Sequence, residues 1–433
     1  MRAVEREGRL DFEAVEKAMA QAALQDGAGA LQTLLAGVGV GRRTEAVRCR
    51  CGAVMDSQGV RAKQIQTLLG WVAFTRSRYV CPRCGKTRYP GDEALDVVGT
   101  SRSPGLRRQV ARLGAKEPFA EVAADLRELA GIEISRKDAE RIAETVGEQM
   151  ETWMAAERLA LRLQEPPPPE TLKTLDAFYI EPDGTGVPVV PHEVEGRRGK
   201  QADGTAKTRE AKVGCVFTQT QTLRDDEGRL RRDDASTSYV AAIESADAFG
   251  ARLYAEAVRR GLFYARRVIV LGDGAEWVKN LAALHFPQAQ FILDYYHATE
   301  HIGDLCRALF DRDLKQVARY RDRWTDCLWE GNVETVIQEA RACLPKDPRA
   351  KPEARTQIAY FEKNQDFMHY ADYRAQGLFI GSGVVEGACK HLIAQRFKQS
   401  GMEWTVRGAN AIMATRAGIR SGRYEEFWEQ RAA

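Results

Sequence analysis

The chain of 433 residues contains no apolar run near the ~18 residues that a membrane-spanning helix needs. Its first residues, MRAVEREGRLDFEAVEKAM, also lack the apolar core of a secretory signal peptide. Because both features are missing, we predict a cytoplasmic protein with no membrane partner. The net charge is only +3, so the overall charge by itself indicates no polyanionic partner. With 44% hydrophobic and 29% charged residues the composition is typical of a soluble globular protein, and the length favours two or three domains.

Cysteines are few, and four of the nine cluster near the N-terminus. They form the motifs CRCG, from Cys49 and Cys51, and CPRCG, from Cys81 and Cys84. The glycine after each pair lets the backbone turn around a metal, and the intervening TLLGWVAFTRSRYV is typical of a hairpin. We therefore predict a zinc ribbon over residues 45–95, with four thiolates closing a structural Zn²⁺ site. A redox C-x-x-C is the alternative, but no thioredoxin-like βαβ pattern surrounds it.

Helical patterns occupy residues 1–44 and 105–163. In the second block we predict a helix over about 119–129, a turn through Gly131 and a second helix capped by Ser135. This arrangement is typical of a helix-turn-helix DNA-binding region, although plain helix packing would give the same pattern. The residues predicted to contact DNA are at the start of the second helix: Arg136, Lys137 and Arg141.

Four consecutive prolines in QEPPPPE predict a stiff linker over residues 164–170, because proline cannot continue a helix. After it, strand-like runs and helices alternate, which favours a mixed α/β sheet. We predict this α/β core from residues 171–300 and 376–433. The charged, helical residues 301–375 are predicted to be an insertion into it.

Three acids stand at positions that favour metal binding. Asp183 in FYIEPDGTGVPVV and Asp273 in RRVIVLGDGAEW each follow an apolar, strand-like run, and Glu386 opens the helical GSGVVEGACKHLIAQRFKQSGMEW. Three carboxylates from separate elements suffice to hold two Mg²⁺ (or Mn²⁺) ions for phosphoryl transfer. We predict that Asp183 bridges the ions and that Asp273 and Glu386 hold one each. Each acid also has an ordinary structural explanation: Asp183 as a turn residue, Asp273 as a helix cap and Glu386 as a solvated helix side chain. Other carboxylates stand nearby: Asp176, Glu181, Glu276 and Asp294.

Basic residues surround the third acid. Residues 381–423 hold seven Lys or Arg against two acids, which predicts a local phosphate-binding surface unless they form an ordinary solvated helix face. The residues predicted to contact DNA here are Lys390, Arg396 and Lys398. His297, four residues before His301, is predicted to donate to or position the scissile phosphate, and His301 is predicted to pack.

These motifs together resemble the ISKra group of bacterial insertion-sequence transposases over residues 45–430. The resemblance rests on DGTGVPVV, GRRGKQADGTAKTREAKVGCVFTQT, VIVLGDGAEW, LDYYHATEH and GSGVVEGACKHLIAQRFKQSGMEW. It implies an RNase H-like DDE transposase that binds terminal inverted repeats. The family's acids fall on Asp183, Asp273 and Glu386, its D-x-x-H feature on Asp294 and His297, and its cysteine knuckles on Cys49, Cys51, Cys81 and Cys84. Glu403 departs from the pattern, because a basic residue is expected there.

From this resemblance we expect metal-dependent cleavage and strand transfer on double-stranded DNA, by a nucleoid-associated homo-oligomer of at least two chains. Two alternatives stay open. One is a zinc-ribbon/helix-turn-helix regulator whose transposase-derived core is inactive. The other is an RNase H-type nuclease that cuts DNA without joining it.

Overall fold

The computed structural model of the chain describes residues 5–6, 9–38, 41–163, 173–199, 201–219, 223–224, 226, 228 and 230–432. The predicted proline-rich linker, residues 164–170, lies outside the described residues. Two compact units divide the chain, Met1–Val146 and Gly147–Ala433. No helix in the described part of the chain is both long and apolar enough to cross a membrane.

The first unit contains a three-stranded antiparallel sheet beside a long helix. Strands β3 and β4 form the hairpin that the sequence predicts, and β5 pairs with β4. Buried Ile65, Val72 and Phe74 make a small core, onto which Leu31 and Leu35 of α1 pack. The elements of this part are β1 (Glu5–Arg6), β2 (Arg9–Leu10), α1 (Phe12–Val38), β3 (Asp56–Thr67), β4 (Gly70–Val80), β5 (Thr87–Arg88) and α2 (Pro90–Ala94).

A group of helices follows: α3 (Pro104–Gly114), α4 (Phe119–Ala130) and α5 (Arg136–Arg162). Helix α4 ends at Gly131, whose φ of 64° is the left-handed conformation that glycine adopts freely. The hydroxyl of Ser135 accepts a hydrogen bond of 3.0 Å from the amide of Asp138, so the predicted cap of α5 is present. Helix α5 is much longer than a recognition helix requires, and it begins in the first unit and ends in the second.

The second unit is built on a five-stranded sheet in the order β10-β7-β6-β11-β12. Strands β6, β7 and β10 are antiparallel, whereas β11 runs parallel to β6 and β12 parallel to β11. The predicted mixed sheet is thereby confirmed. Its strands are β6 (Leu175–Pro188), β7 (Thr208–Gln219), β10 (Ser238–Ala242), β11 (Ala265–Gly272) and β12 (Gln290–Leu293), and a separate short ribbon is formed by β8 (Leu223–Arg224) and β9 (Leu230–Arg231).

Helices cover both faces of this sheet. Phe178, Ile180 and Val216 point to one face and pack against α6 (Ala246–Arg259) and α7 (Glu276–His285). Their neighbours in the strands point the other way, because side chains alternate along a strand. On that second face Tyr179 stacks on Phe217 with ring centroids 4.9 Å apart. The C-terminal part of the chain contains α13 (Gly383–Ala388), α14 (Gln395–Phe397), α15 (Val406–Arg420) and α16 (Arg423–Ala432). Of these helices, α13 contacts β6 and β7, and α15 contacts β10.

A helical segment is inserted between β12 and α13. Its two ends lie side by side, since the amide of Tyr295 donates a 2.8 Å hydrogen bond to the carbonyl of Ile380. Trp324 and Phe361 are fully buried and anchor its core. The segment contains α8 (Tyr295–Phe310), α9 (Leu314–Trp329), α10 (Val333–Ala342), α11 (Pro352–Asn364) and α12 (Tyr370–Ala375).

Candidate functional site

Three aspartates stand at one level across three adjacent parallel strands. The register pairs Ile180 of β6 with Val270 of β11, and three residues further along each strand (180 + 3 and 270 + 3) are Asp183 and Asp273. On the other side of β11, Gly272 pairs with Leu293 of β12. Asp273 directly follows Gly272, and Asp294 directly follows Leu293, so these two aspartates also lie side by side. The carboxyl ends of the parallel strands therefore bring the predicted Asp183 and Asp273 to the same edge of the sheet, which we call the carboxylate edge.

Asp183 is half-buried and faces other polar groups. Its Oδ2 accepts a hydrogen bond from the thiol of Cys389 at 3.2 Å, and its Oδ1 accepts one from the amide of Gly184 at 2.6 Å. Burial raises the pKa of the Asp183 carboxyl, and the negative charge of Asp273 raises it further. Two carboxylates that repel each other across an edge open to solvent are a donor set that a divalent cation would stabilise.

Glu386 lies on α13, the helix that contacts β6 and β7. It lies in the first turn of α13, is exposed, and is three residues before Cys389, so the two side chains share one face of the helix. The pKa of the Cys389 thiol is raised by burial, by Asp183 and, more weakly, by Glu386. Cys389 thus lies between the predicted acids of the strand and of the helix. No motif in the sequence marks Cys389 as part of the site.

The helix that carries Glu386 is not regular. Between α13 and α14, residues Cys389–Ala394 form a π-helical turn, a wider turn that is frequent at functional sites. The guanidinium of Arg416 on α15 donates to the carbonyls of this turn, through Nε to Leu392 at 2.7 Å and through Nη2 to His391. Arg416 is buried, so these hydrogen bonds hold the widened turn from its side facing the protein interior.

His297 lies on the same side as the acids. It is half-exposed, and a positive charge on its imidazole would lower the pKa of Asp183, so the two side chains are close enough to interact electrostatically. The ring of His301 lies 5.4 Å from that of His297 and stacks on Tyr360 at 3.7 Å, in a packing role. The hydroxyl of Tyr360, on α11 of the insertion, donates to the backbone carbonyl of Asp273 at 3.4 Å. The insertion therefore contributes directly to the surroundings of the site.

Two of the neighbouring carboxylates hold the turn that precedes Glu386. Glu181 is fully buried and accepts a 2.9 Å hydrogen bond from the amide of Val385, and burial raises its pKa to about 8. Asp294 is buried too, and it accepts from the amide of His297 at 2.6 Å and from the amide of Ser382. Through these hydrogen bonds to backbone amides, the two acids hold the start of α13 in place. The contacts to Val385 and Ser382 link residues too distant along the chain to be inferred from the sequence.

The other two neighbouring carboxylates are placed elsewhere. Asp176 lies near the opposite end of β6 and forms an ion pair with Arg266 at 3.4 Å. Glu276 is exposed and pairs with Lys363 at 2.6 Å. Both have partners on the surface of the unit and neither extends the carboxylate edge.

The four predicted zinc ligands of the first unit lie together. The sulfurs of Cys49 and Cys84 are 3.6 Å apart, and those of Cys51 and Cys81 are 3.5 Å apart. A Zn–S bond of about 2.3 Å gives tetrahedral S–S edges of roughly 3.7 Å, so the cluster has the size of a zinc site. Burial opposes ionisation of Cys81, but hydrogen bonds from the backbone amides of Cys84 and Arg83 and from the neighbouring thiols lower its pKa, while hydrogen bonds with the thiols around it raise the pKa of Cys84. The cluster can therefore bind zinc.

Across the described part of the chain, these cysteines are the one group of three or more metal-ligating side chains whose ligand atoms all lie within 4.8 Å of one another. Asp183, Asp273 and Glu386 are more widely spaced. A divalent ion bound there would take its remaining ligands from water or substrate, as Mg²⁺ often does.

The predicted DNA contacts near Glu386 divide into two groups. Lys390 and Lys398 are exposed, and the ammonium of Lys398 donates to the hydroxyl of Thr185 at 2.6 Å. Arg396 is different: it is fully buried, with its guanidinium 4.7 Å from the centre of the Trp404 ring. Its predicted contact with DNA is therefore wrong for this conformation, because the packed aromatic ring and not solvent surrounds it. The basic surface is smaller than the sequence suggests.

In the first unit, the predicted contacts Arg136, Lys137 and Arg141 are all exposed near the start of α5. Arg141 forms an ion pair with Asp138 at 2.6 Å, and Asp138 also pairs with Arg102 at 2.9 Å. Arg136 and Lys137 are thus the more accessible cations of this group.

Comparisons with known proteins find similarity to one protein family over part of the chain and to one solved structure. The profile of an uncharacterised protein family (UPF0236) matches residues 261–431. A protein described as "UPF0236 protein in vanSb 3'region" from Streptococcus gallolyticus is 22% identical over 381 residues, which are 85% of this chain and 75% of that protein. The "Drosophila P element transposase strand transfer complex" covers 76% of this chain and 80% of its own at 10% identity, but its TM-score of 0.24 carries no argument. The part of this chain that contains Asp273, His297 and Glu386 is therefore similar to UPF0236 proteins.

Proposed function

We propose that this protein is a DDE transposase of a bacterial insertion sequence, which binds terminal inverted repeats and cuts and joins DNA. One observation supports the proposal most: Asp183 and Asp273 share one edge of the sheet, and the helix of Glu386 contacts Asp183 through Cys389. An RNase H-like core is expected to have three acids in this arrangement: one on a central strand, one just past a neighbouring strand and one on a covering helix.

The proposed roles follow from the position of each side chain. Asp183 would bridge two Mg²⁺ or Mn²⁺ ions, with Asp273 and Glu386 holding one each. Bound ions of this kind activate an attacking oxygen and stabilise a leaving oxygen at a phosphodiester. His297 would donate to a phosphate oxygen beside Asp183. Lys398, exposed at the rim next to Thr185, would hold an adjacent phosphate.

Binding of the DNA ends would use the first unit. The cysteine cluster would hold a structural Zn²⁺ that fixes the ribbon, and Arg136, Lys137 and Arg141 would contact the duplex. Lys390 near Glu386 would contact the DNA close to the cut. Because two transposon ends must be joined to one target, at least two chains would act together.

The test uses a donor plasmid that carries the reading frame with its native flanking DNA and a selectable marker. Transfer of the marker to a target plasmid is counted, and cleavage of the flanking ends by purified protein in Mg²⁺ is measured. Asp183→Asn, Asp273→Asn and Glu386→Gln should each reduce cleavage by about a hundredfold or more, since each removes a charged ligand. Asp176→Asn is the matched control, because it changes an acid of the same strand away from the edge, and it should cleave like wild type.

Three outcomes would overturn the proposal. Cleavage without joining would make the protein an RNase H-type nuclease. Binding without cleavage in any divalent ion would make it a regulator. Equal loss in Asp176→Asn and Asp183→Asn would show that the strand matters for folding and not for metal binding.

A further inference from the structure

A large aromatic side chain stands exposed at the rim of the carboxylate edge. Tyr296, the second residue of α8, has 63% of its surface accessible to solvent. In the chain it stands between Asp294, which accepts a hydrogen bond from the amide of Ser382, and His297, whose charge would act on Asp183. The exposed face of the ring is therefore open to a ligand beside these polar side chains.

The ring is held in place on one side. A Cβ atom built on Gly381 would come within 2.6 Å of Cε2 of Tyr296, so the ring rests directly against the Gly381 backbone. The ring of Tyr295 meets it edge-on at 5.5 Å, and Tyr295 itself packs at 5.3 Å against Trp329. Because its conformation is already restricted, the side chain would lose little entropy when a flat ligand packs against it.

Gly381 adds a link to the catalytic helix. The next residue, Ser382, donates its amide to Asp294, and α13 with Glu386 begins one residue later. The position of Tyr296 is therefore tied to the same turn that sets the position of Glu386.

We propose that Tyr296 is a stacking platform for an unpaired nucleobase of the DNA beside the scissile phosphate. This inference rests on the proposed function, which brings a phosphodiester to Asp183 and Asp273. A base next to a cut loses a stacking neighbour, and an aromatic side chain replaces that neighbour without regard to sequence. The flat, exposed and fixed ring of Tyr296 matches this requirement.

The experiment measures the binding of forked DNA to the full chain without added divalent ion, so that the DNA stays uncut. The probe is a duplex that opens into two single-stranded arms, with 2-aminopurine as the first unpaired base. Wild type, Tyr296→Phe and Tyr296→Ala are compared. The matched control is Tyr264→Ala, since Tyr264 is 45% exposed and precedes β11, at the opposite end of that strand from Asp273.

Wild type, Tyr296→Phe and Tyr264→Ala should quench the 2-aminopurine fluorescence, because stacking needs only the ring. Tyr296→Ala should lose the quenching and bind the fork about tenfold more weakly. A fully paired duplex of the same length should bind all four proteins equally. Circular dichroism verifies that the exposed substitution leaves the fold intact.

Undiminished quenching by Tyr296→Ala would overturn the inference, and so would an equal loss of affinity for the fully paired duplex. Failure of the proposed function looks different: wild type would then quench the fork but neither cleave nor join DNA in Mg²⁺. If wild type cleaves and joins while Tyr296→Ala quenches normally, only the stacking platform is refuted.

Discussion

Replacing Arg416 by Met tests whether the widened turn beside Glu386 depends on a buried guanidinium. Arg416 donates to the carbonyls of Leu392 and His391, both in the π-helical turn. Hydrogen bonds from a charged donor contribute about 1.5–3 kcal/mol each, so the two contribute roughly 3–6 kcal/mol. Met has a similar length and fills the space without donating.

The charge itself has an opposing cost. Burial, and then the positive charge of Arg420, lower the pKa of Arg416 to about 10, from an ordinary value of 12.5. Arg416→Met removes this cost together with the hydrogen bonds. We therefore expect a loss near the lower end of that range, about 3 kcal/mol, in the free energy of unfolding of the second unit.

The measurement is urea unfolding followed by tryptophan fluorescence and circular dichroism. Arg420→Met is the control, because Arg420 is exposed one turn further along the same helix, and it should change stability by less than about 0.5 kcal/mol. Cleavage by Arg416→Met should fall more than its stability does, since Glu386 would shift. If the two variants unfold alike, Arg416 does not maintain the turn and our account of it is wrong.

Two further predictions concern metal and pH. The purified wild type should contain one zinc ion per chain by metal analysis. Cys81→Ser should contain none, and its circular dichroism should show a loss of β-sheet signal from the ribbon. Cys327→Ser, which lies outside the cluster, should keep its zinc. Burial, and then the charges of Arg420 and Arg416, lower the pKa of His391 to about 4. Between about pH 6.5 and 4 the folded protein therefore binds fewer protons than the unfolded chain, so its stability falls as the pH falls. His391→Gln should weaken this dependence in unfolding curves at several pH values. An unchanged slope would argue against a half-buried, neutral imidazole packed on Tyr239.

Local patterns predict much of this fold. Apolar runs before Asp183 and Asp273 correctly indicate strands, and the turn at Gly131 with the Ser135 cap correctly indicates a helix pair. These features depend on residues close together in the chain, where period and capping chemistry decide the structure. The proximity of Asp183 to Asp273 follows from the parallel register, which the alternation of strands and helices favours.

Long-range burial could not be predicted in this way. The basic residues after Glu386 look alike in sequence, yet Arg396 and Arg416 are buried whereas Lys390 and Lys398 are exposed. Their surroundings come from Trp404 and from α15, which the spacing of charges on one helix cannot reveal. The π-helical turn has no recognisable pattern either, because it depends on a donor from another helix.

The two ends of the helical insertion lie side by side, and this has a consequence for how the length of the insertion can change in evolution. The chain leaves the core at Tyr295 and returns at Ile380, and one backbone hydrogen bond joins these two points. The free energy of closing such a loop rises only slowly with its length. Additions or losses among the inserted helices can therefore accumulate over evolution while the exit and re-entry points, and with them the spacing of Asp273 and Glu386, stay where they are.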